Sequence, residues 1–352
     1  MYIHIEKSLM RYSVLGVCGG NGAVLYPFRD NLVGNVELRS AFKTPEDIQW
    51  KVNFKAPLFN KSPLYWEMSE NISKKPTAII GHPDCGHSSV LAYSRGKKLS
   101  DPLKNHSLNL FISSVNMIRP KIFLMENLPA LLKTYPEDHL NSALPDYNLK
   151  FLQGSVSKWG NSQVSRKRLV VIGLLKTENP DILDVFKFPK QKNIKLKTFS
   201  QLEQPKICPK TASGHVRLAK STNIAIFGGK KMTLGEIKEA WQSFPETQKR
   251  FPANKPRMKY APGVYRNLKD SYPLTVRKGN REFDNYGNVL TPRQRARIQG
   301  IPDSFHIVYQ EDKPIFWITK GNITVTKCFP YEIALWFKYK LEKIINLNLL
   351  TP

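Results

Sequence analysis

Four stretches of the chain carry residue types that can do covalent or acid–base chemistry. The first is GHPDCGHSS, Gly81 to Ser89, with Cys85 at its centre. A loop cysteine becomes a nucleophile when its surroundings favour the thiolate. The negative charge of Asp84 disfavours the thiolate, and a helix opening after the loop would favour it. Taken alone, the loop reads more simply as the seat of a buried structural cysteine. The four cysteines, Cys18, Cys85, Cys208 and Cys328, include no CxxC pair. A cysteine-built zinc site is therefore not expected, and neither is any other metal site.

The second stretch is RPKIFLMENLPALL, in which a hydrophobic run ends in Glu126 and Asn127. A carboxyl group held at a strand end can give or take one proton at a ring nitrogen. The plainer reading is a helix-capping Glu-Asn pair. The third stretch is SQVSRKRLVVIG. Side chains alternate along a strand, so Arg166 and Arg168 would share one face. Two fixed guanidinium groups there suit a phosphate or an extruded base; an exposed basic strand edge is the alternative. The fourth is VCGGNG with Glu37 downstream. Gly19, Gly20 and Gly22 would let backbone approach a cofactor, and Glu37 could accept from ribose hydroxyls. A glycine-rich turn with no ligand fits as well.

These residues need elements to position them. RYSVLGVCGGNGAVL reads as a strand, a glycine loop and a helix. NLVGNVEL is a second strand ending at Glu37, and Thr77 to Gly81 a third that leads to Cys85. HSLNLFISSVNMI has helical apolar spacing. PKIFLMEN and RLVVIGLL are buried strands. Strands alternating with helices predict a parallel α/β sheet, whose ligands bind beyond the strands' carboxyl ends. The glycine loop, Glu37, Cys85 and Glu126 all fall at that edge. After about Lys176 prolines and lysines become dense. A helix, MTLGEIKEAW, is expected there, with Thr233 and Glu236 forming a capping box. LTPRQRARIQGIP carries a threonine cap, a proline in the first turn and a closing glycine. YEIALWFKYKLEKII should be a last helix packing back on the first domain.

The chain has 352 residues, 41% hydrophobic, with a net charge of +26. That charge, spread along the chain, points to a polyanionic partner such as nucleic acid over a merely solvated basic surface. No apolar run approaches the roughly 20 residues that span a bilayer. The first residues lack the pattern of a secretory signal, so a cytoplasmic protein is expected.

Individually weak, these motifs form an ordered set: the glycine loop, Glu37, G-x-P-x-C, E-N-x-P, Q-x-x-R-x-R and L-T-P-R-x-x-A-R-x-Q-G-x-P. In that order the chain resembles the DNA cytosine-5 methyltransferases over residues 12–42, 77–95, 117–133, 147–174 and 264–340. The resemblance implies a Rossmann-like seven-stranded S-adenosylmethionine-dependent methyltransferase sheet with a smaller target-recognition domain. Residues 1–176 would form the catalytic domain, 177–270 the target-recognition domain, and 271–352 a return segment completing the first. It implies that Cys85 attacks carbon 6 of a cytosine flipped out of double-stranded DNA. Glu126 would hold ring nitrogen 3 and the amino group, and Arg168, helped by Arg166, would support the adduct. Leu15, Gly16, Gly19, Gly20, Glu37 and Asp84 would line the site of S-adenosyl-L-methionine. A monomer is expected.

The chain departs from the family's pattern in several places. Asp84, Gly86 and Ser88 replace the usual proline, glutamine and phenylalanine around Cys85. Leu15 and Val17 replace a phenylalanine and a glycine, and the arginine motif is one residue longer. In the last motif TKCFPYEIA aligns so that Lys327 stands at the family's asparagine, beside the cofactor's reactive methyl group. A lysine about 5 Å from a sulfonium cation would be repelled by roughly 3 kcal/mol at an effective dielectric of 20. A cofactor bearing a carboxylate on the transferred carbon, carboxy-S-adenosyl-L-methionine, would reverse that sign and give 5-carboxymethylcytosine. The alternatives are a lysine that snorkels to solvent or a decayed enzyme. Two rival functions remain: an RNA cytosine-5 methyltransferase and an inactive DNA-binding homologue.

Overall fold

The computed structural model describes residues 12–38, 45–60, 75–84, 105–190, 194–198, 201–202, 273, 292–307 and 329–350. Five short strands between 224 and 283 are described by their backbone. Cys85 and Lys327 lie outside the described residues.

Seven strands form the main sheet: β1 (Val14–Val17), β2 (Leu32–Glu37), β3 (Leu58–Asn60), β4 (Ala78–Gly81), β5 (Ile122–Asn127), β6 (Tyr147–Ser155) and β7 (Lys167–Leu175). Their order is β3-β2-β1-β4-β5-β7-β6. The chain winds outward from β1 to β3, then returns to lay β4 on the other side of β1. β1 pairs in parallel with both β2 and β4, and β4 with β5. The strand order thus reverses between β1 and β4, the point beyond whose strand ends open α/β sheets bind their ligands. β7 alone is reversed, lying antiparallel between β5 and β6. Its first residues therefore reach the same edge at which β1, β4 and β5 end. This explains why the sequence places arginines before one buried strand and a glutamate after another.

Both faces of the sheet are covered, so its central strands are apolar on both sides. Val14, Ile80, Leu124, Val170 and Ile172 belong to one apolar cluster. Leu15, Ile79, Phe123, Met125 and Val171 belong to the other. Among the described residues six α-helices flank or follow the sheet: α1 (Pro45–Asn53), α2 (His106–Ile118), α3 (Leu131–Thr134), α4 (Glu137–Ala143), α5 (Pro292–Ile298) and α6 (Tyr331–Asn346). α2 joins the second cluster through Leu108, Phe111 and Val115, spaced for one helical face. α6 joins the first through Ile333, Phe337, Leu341 and Ile344. Each such side chain contributes about 1.5–3 kcal/mol by leaving water. Helix α6 thus packs on the sheet, as its apolar face predicts.

The helix expected after the glycine loop is replaced by turns and a short 3-10 turn, Tyr26–Phe28. Pro27 has no N–H to donate to an α-helical ladder. Ala23, Val24, Leu25 and Phe28 are buried there nonetheless. Strands β3 and β6 were not read from the sequence. Ile182 and Phe186, in and just after a 3-10 turn at Pro180–Val185, still pack in the first apolar cluster. Of MTLGEIKEAW, Met232 and Thr233 close a short strand, Lys230–Thr233; the rest, with Glu236, lies outside the described residues. Among the described residues no helix is long and apolar enough to cross a membrane.

Candidate active site

The segment before Cys85 is tied down from two sides. β4 ends at Gly81, where a Cβ would lie 2.4 Å from the Phe111 ring and 2.5 Å from the Val17 carbonyl. Only glycine lets the strand end fit so closely. Beyond it, Asn127 Nδ2 donates to the Pro83 carbonyl at 3.1 Å. Ser107 Oγ accepts from the Asp84 N–H at 2.7 Å, and Asn105 Nδ2 donates to the Asp84 carbonyl at 3.4 Å. Asn105 is also the N-cap of α2, accepting from Leu108 N at 3.2 Å. The chain entering Cys85 is thus fixed to the end of β5 and the start of α2. Asn127 is a loop anchor, which sets aside the helix-capping alternative for the Glu-Asn pair.

Glu126 is fully buried at the end of β5. Its Oε1 lies 2.6 Å from Nε of Arg168, and its Oε2 meets Nδ1 of His82. Burial alone would push this carboxyl up. His82 foremost, then Arg168 and Arg166, outweighs burial and holds it below the usual carboxylate range. Arg166, just before β7, is itself buried and donates to Oε1 of Gln299. Gln163 Nε2 donates to the same oxygen at 3.1 Å and to the Ile298 carbonyl at 3.2 Å. The end of α5 is therefore bound to the arginine segment. Arg168 faces Glu126 directly from β7, and Arg166 adds a favourable charge from the turn before it. His82 was not singled out in the sequence, where a lone loop histidine beside Gly81 gives little signal. Behind it stands the Phe329 ring, edge-on with centroids 6.2 Å apart.

On the other side of β4, the glycine loop meets the end of β2. Gly20 N–H donates to Glu37 Oε1 at 2.6 Å, and Asn35 Nδ2 donates to the same oxygen at 2.9 Å. Gly19 N–H donates to Asn35 Oδ1 at 3.1 Å. The glycines divide by role. A Cβ on Gly16 or Gly19 would strike Leu25 and Asn35, so these two serve close packing. Gly20, at φ +64°, would point a Cβ into open space. Cys18 and Gly22 share the left-handed conformation. Leu15 is buried in the apolar core, so only its backbone could meet a ligand. Asp84 sits across at the end of β4, held by its backbone. An open glycine backbone beside a buried carboxylate fits an adenosine, whose ribose hydroxyls can donate to Glu37. Among the described residues no group of three or more His, Cys, Asp or Glu could hold a metal ion.

A sheet of this strand order, with one reversed strand, is that of the S-adenosylmethionine-dependent methyltransferases. Solved structures share it. A protein encoded within an Escherichia coli prophage, assigned as a DNA modification methyltransferase, superposes with a TM-score of 0.65 at 19% identity, covering 95% of this chain and 99% of that one. The Schizosaccharomyces pombe Dnmt2 methyltransferase gives 0.59 at 11% identity, covering 96% and 100%. The Entamoeba histolytica methyltransferase EhMeth gives 0.62 at 12%, covering 96% and 98%. Among curated proteins, the type II methyltransferase M.NgoPII of Neisseria gonorrhoeae is 24% identical over 289 residues, 78% of this chain and 80% of that one.

The model of the C-5 cytosine-specific DNA methylases matches residues 51–321, and the chain belongs to that family. The family uses S-adenosylmethionine.

Proposed function

We propose that the protein alkylates carbon 5 of a cytosine flipped out of duplex DNA. The observation that carries this reading is the buried Glu126 carboxylate, clamped by Arg168 and His82 one hydrogen-bonded segment away from Cys85. The Cys85 thiolate attacks carbon 6, forming the S–C6 bond. The displaced π electrons run through C5 and C4 to nitrogen 3, which takes a proton at Glu126. Arg168 and Arg166 keep the Glu126 carboxyl in place through this step. The cofactor, when bound, supplies an electrophilic carbon to C5. Loss of the C5 proton, return of the N3 proton and expulsion of Cys85 restore the aromatic base. Gly20 and Glu37 hold the cofactor, with Gly16 and Gly19 shaping the loop beneath it.

The DNA-reading part is the segment from 177 to 270, between the catalytic domain and the return segment. Its basic composition suits phosphate contacts. The working compartment is the cytoplasm. A finer reading concerns the group transferred. Lys327, at the motif position beside the reactive carbon, favours a cofactor with a carboxylate there, and so carboxymethyl transfer from carboxy-S-adenosyl-L-methionine.

Nucleoside mass spectrometry of duplex DNA after incubation with each cofactor tests both levels. A product with either cofactor that Cys85→Ser abolishes supports cytosine alkylation. 5-Carboxymethylcytosine with the carboxy cofactor, lost in Lys327→Asn with a gain of methyl transfer, supports the finer reading. Methylcytosine alone in the wild type removes it. A product on RNA and none on duplex DNA overturns the DNA assignment.

A further inference from the structure

Glu126 has a proton problem that its surroundings pose and one neighbour can solve. The nitrogen 3 of neutral cytosine is an acceptor, and a carboxylate is an acceptor too. A proton must stand between them. Among the described residues the charged groups facing Glu126 are His82 from the segment after β4, Arg168 from β7 and Arg166 from the turn before it. All three favour the ionised carboxylate, so the proton is not resting on Glu126. Neither arginine can release one. Glu126 itself has no exposed surface, whereas the His82 side chain is 17% exposed. His82 therefore touches both solvent and the carboxylate, and an imidazole can both give up and take back a proton.

We propose that His82 is a positioning residue that relays protons between solvent and Glu126, and through it to nitrogen 3 of the target base. This rests on the reading of Glu126 given above. In the forward step the Nδ1 proton of a protonated His82 passes to Oε2 of Glu126, and a carboxyl proton passes to nitrogen 3 as the S–C6 bond forms. His82 is left neutral. When the adduct collapses, nitrogen 3 returns its proton to Glu126 and Glu126 returns it to His82. The relay is closed over one turnover. The Phe329 ring stands edge-on to the imidazole, with centroids 6.2 Å apart.

The test is single-turnover alkyl transfer to plasmid DNA by wild type, His82→Gln and Glu126→Gln, from about pH 6 to 9. The labelled cofactor is the one that the wild type uses. The wild-type rate should show a descending limb toward high pH as the relay loses its proton. His82→Gln should be slower by about 100-fold and should lack that limb, with DNA and cofactor affinities within about threefold of wild type. A His82→Gln enzyme of wild-type rate overturns the proposal, as does one that is slow with the limb unchanged. If thermal melting shows that His82→Gln does not fold, the wild type decides alone: a rate that never falls with rising pH sinks the relay. Glu126→Gln separates the two levels. Full activity in that variant would remove the role of Glu126 itself, whatever His82 does.

Discussion

Nε of Arg168 stands 2.6 Å from Oε1 of Glu126 because β7 runs against β5 and begins where β5 ends. Glu126 pairs with Val170 and Asn127 with Leu169, so Arg168 lies one step past the end of β5. Truncating it leaves a buried carboxylate with less compensation. Arg168→Ala should lower unfolding stability by about 3 kcal/mol and transfer rates by more than 100-fold. Arg168→Lys keeps the charge and loses the planar fork, so it should recover stability more than rate. Urea denaturation alongside a transfer assay reads both; unchanged stability in Arg168→Ala would mean that the contact carries no weight.

The same carboxyl makes stability depend on acid. Its folded value is depressed below the ordinary 4.5. Its ion pairs therefore stabilise the fold fully above about pH 4.5, and that contribution is lost as pH falls through the depressed value. Glu126→Gln has no such group to protonate. Unfolding free energies between about pH 3 and 7 should fall more steeply with acid in the wild type than in Glu126→Gln. Parallel curves would show that the pair is already broken in solution.

Glu332, in the first turn of α6, has the opposite sign. Burial foremost pushes its carboxyl up to about 7, against the Asn161 amide that donates to it at 2.8 Å. Stability from this group is complete below the unfolded value and is lost as pH rises through 7. Glu332→Gln keeps an acceptor for Asn161 without the charge. It should be more stable than wild type at pH 8, by at most about 3 kcal/mol, and equal to it near pH 4. Thermal melts at the two values check this; a variant less stable at both would show that the charge is well paired.

Much of the site could be read from the sequence because alternation and period carry faces. The apolar spacing of His106–Ile118 gave α2 its full length, and the hydrophobic run before Glu126 marked β5. Strand β3 has three residues, too few for a pattern. Strand β6 is half-buried along most of its length, so YNLKFLQGS does not separate an inner face from an outer one. The reversal of β7 is a pairing between distant segments that no local signal encodes. His82 was invisible for the same reason: its partner lies 44 residues on, and only the pairing of β4 with β5 joins them.

The glycine loop separates packing from binding. In Gly16→Ala the new Cβ would lie 2.3 Å from Leu25 and 2.5 Å from Asn35. That should cost about 1–3 kcal/mol of stability. Gly20→Ala meets nothing, and its left-handed backbone costs about 1 kcal/mol. Its methyl group would fill the open space beside Glu37. Gly20→Ala should therefore weaken cofactor binding at least tenfold with a small loss of melting temperature, and Gly16→Ala should do the reverse. Calorimetric titration with the cofactor and thermal melts distinguish the two.

Asn127 gives the sharpest test of the loop anchor, since one atom decides it. Its Nδ2 donates to the Pro83 carbonyl, and its Oδ1 accepts from Leu128 N at 2.8 Å. Asn127→Asp keeps the acceptor and turns the donor into a second acceptor, aimed at a carbonyl oxygen. The buried charge and the lost hydrogen bond should cost about 2–3 kcal/mol, and the segment entering Cys85 should shift. A displacement of about 1 Å at a reacting group costs on the order of 100-fold in rate. The expected result is a folded enzyme that binds the cofactor normally and transfers at least about 100-fold more slowly. Asn127→Asp with wild-type turnover would show that Ser107 and Asn105 hold the segment without it.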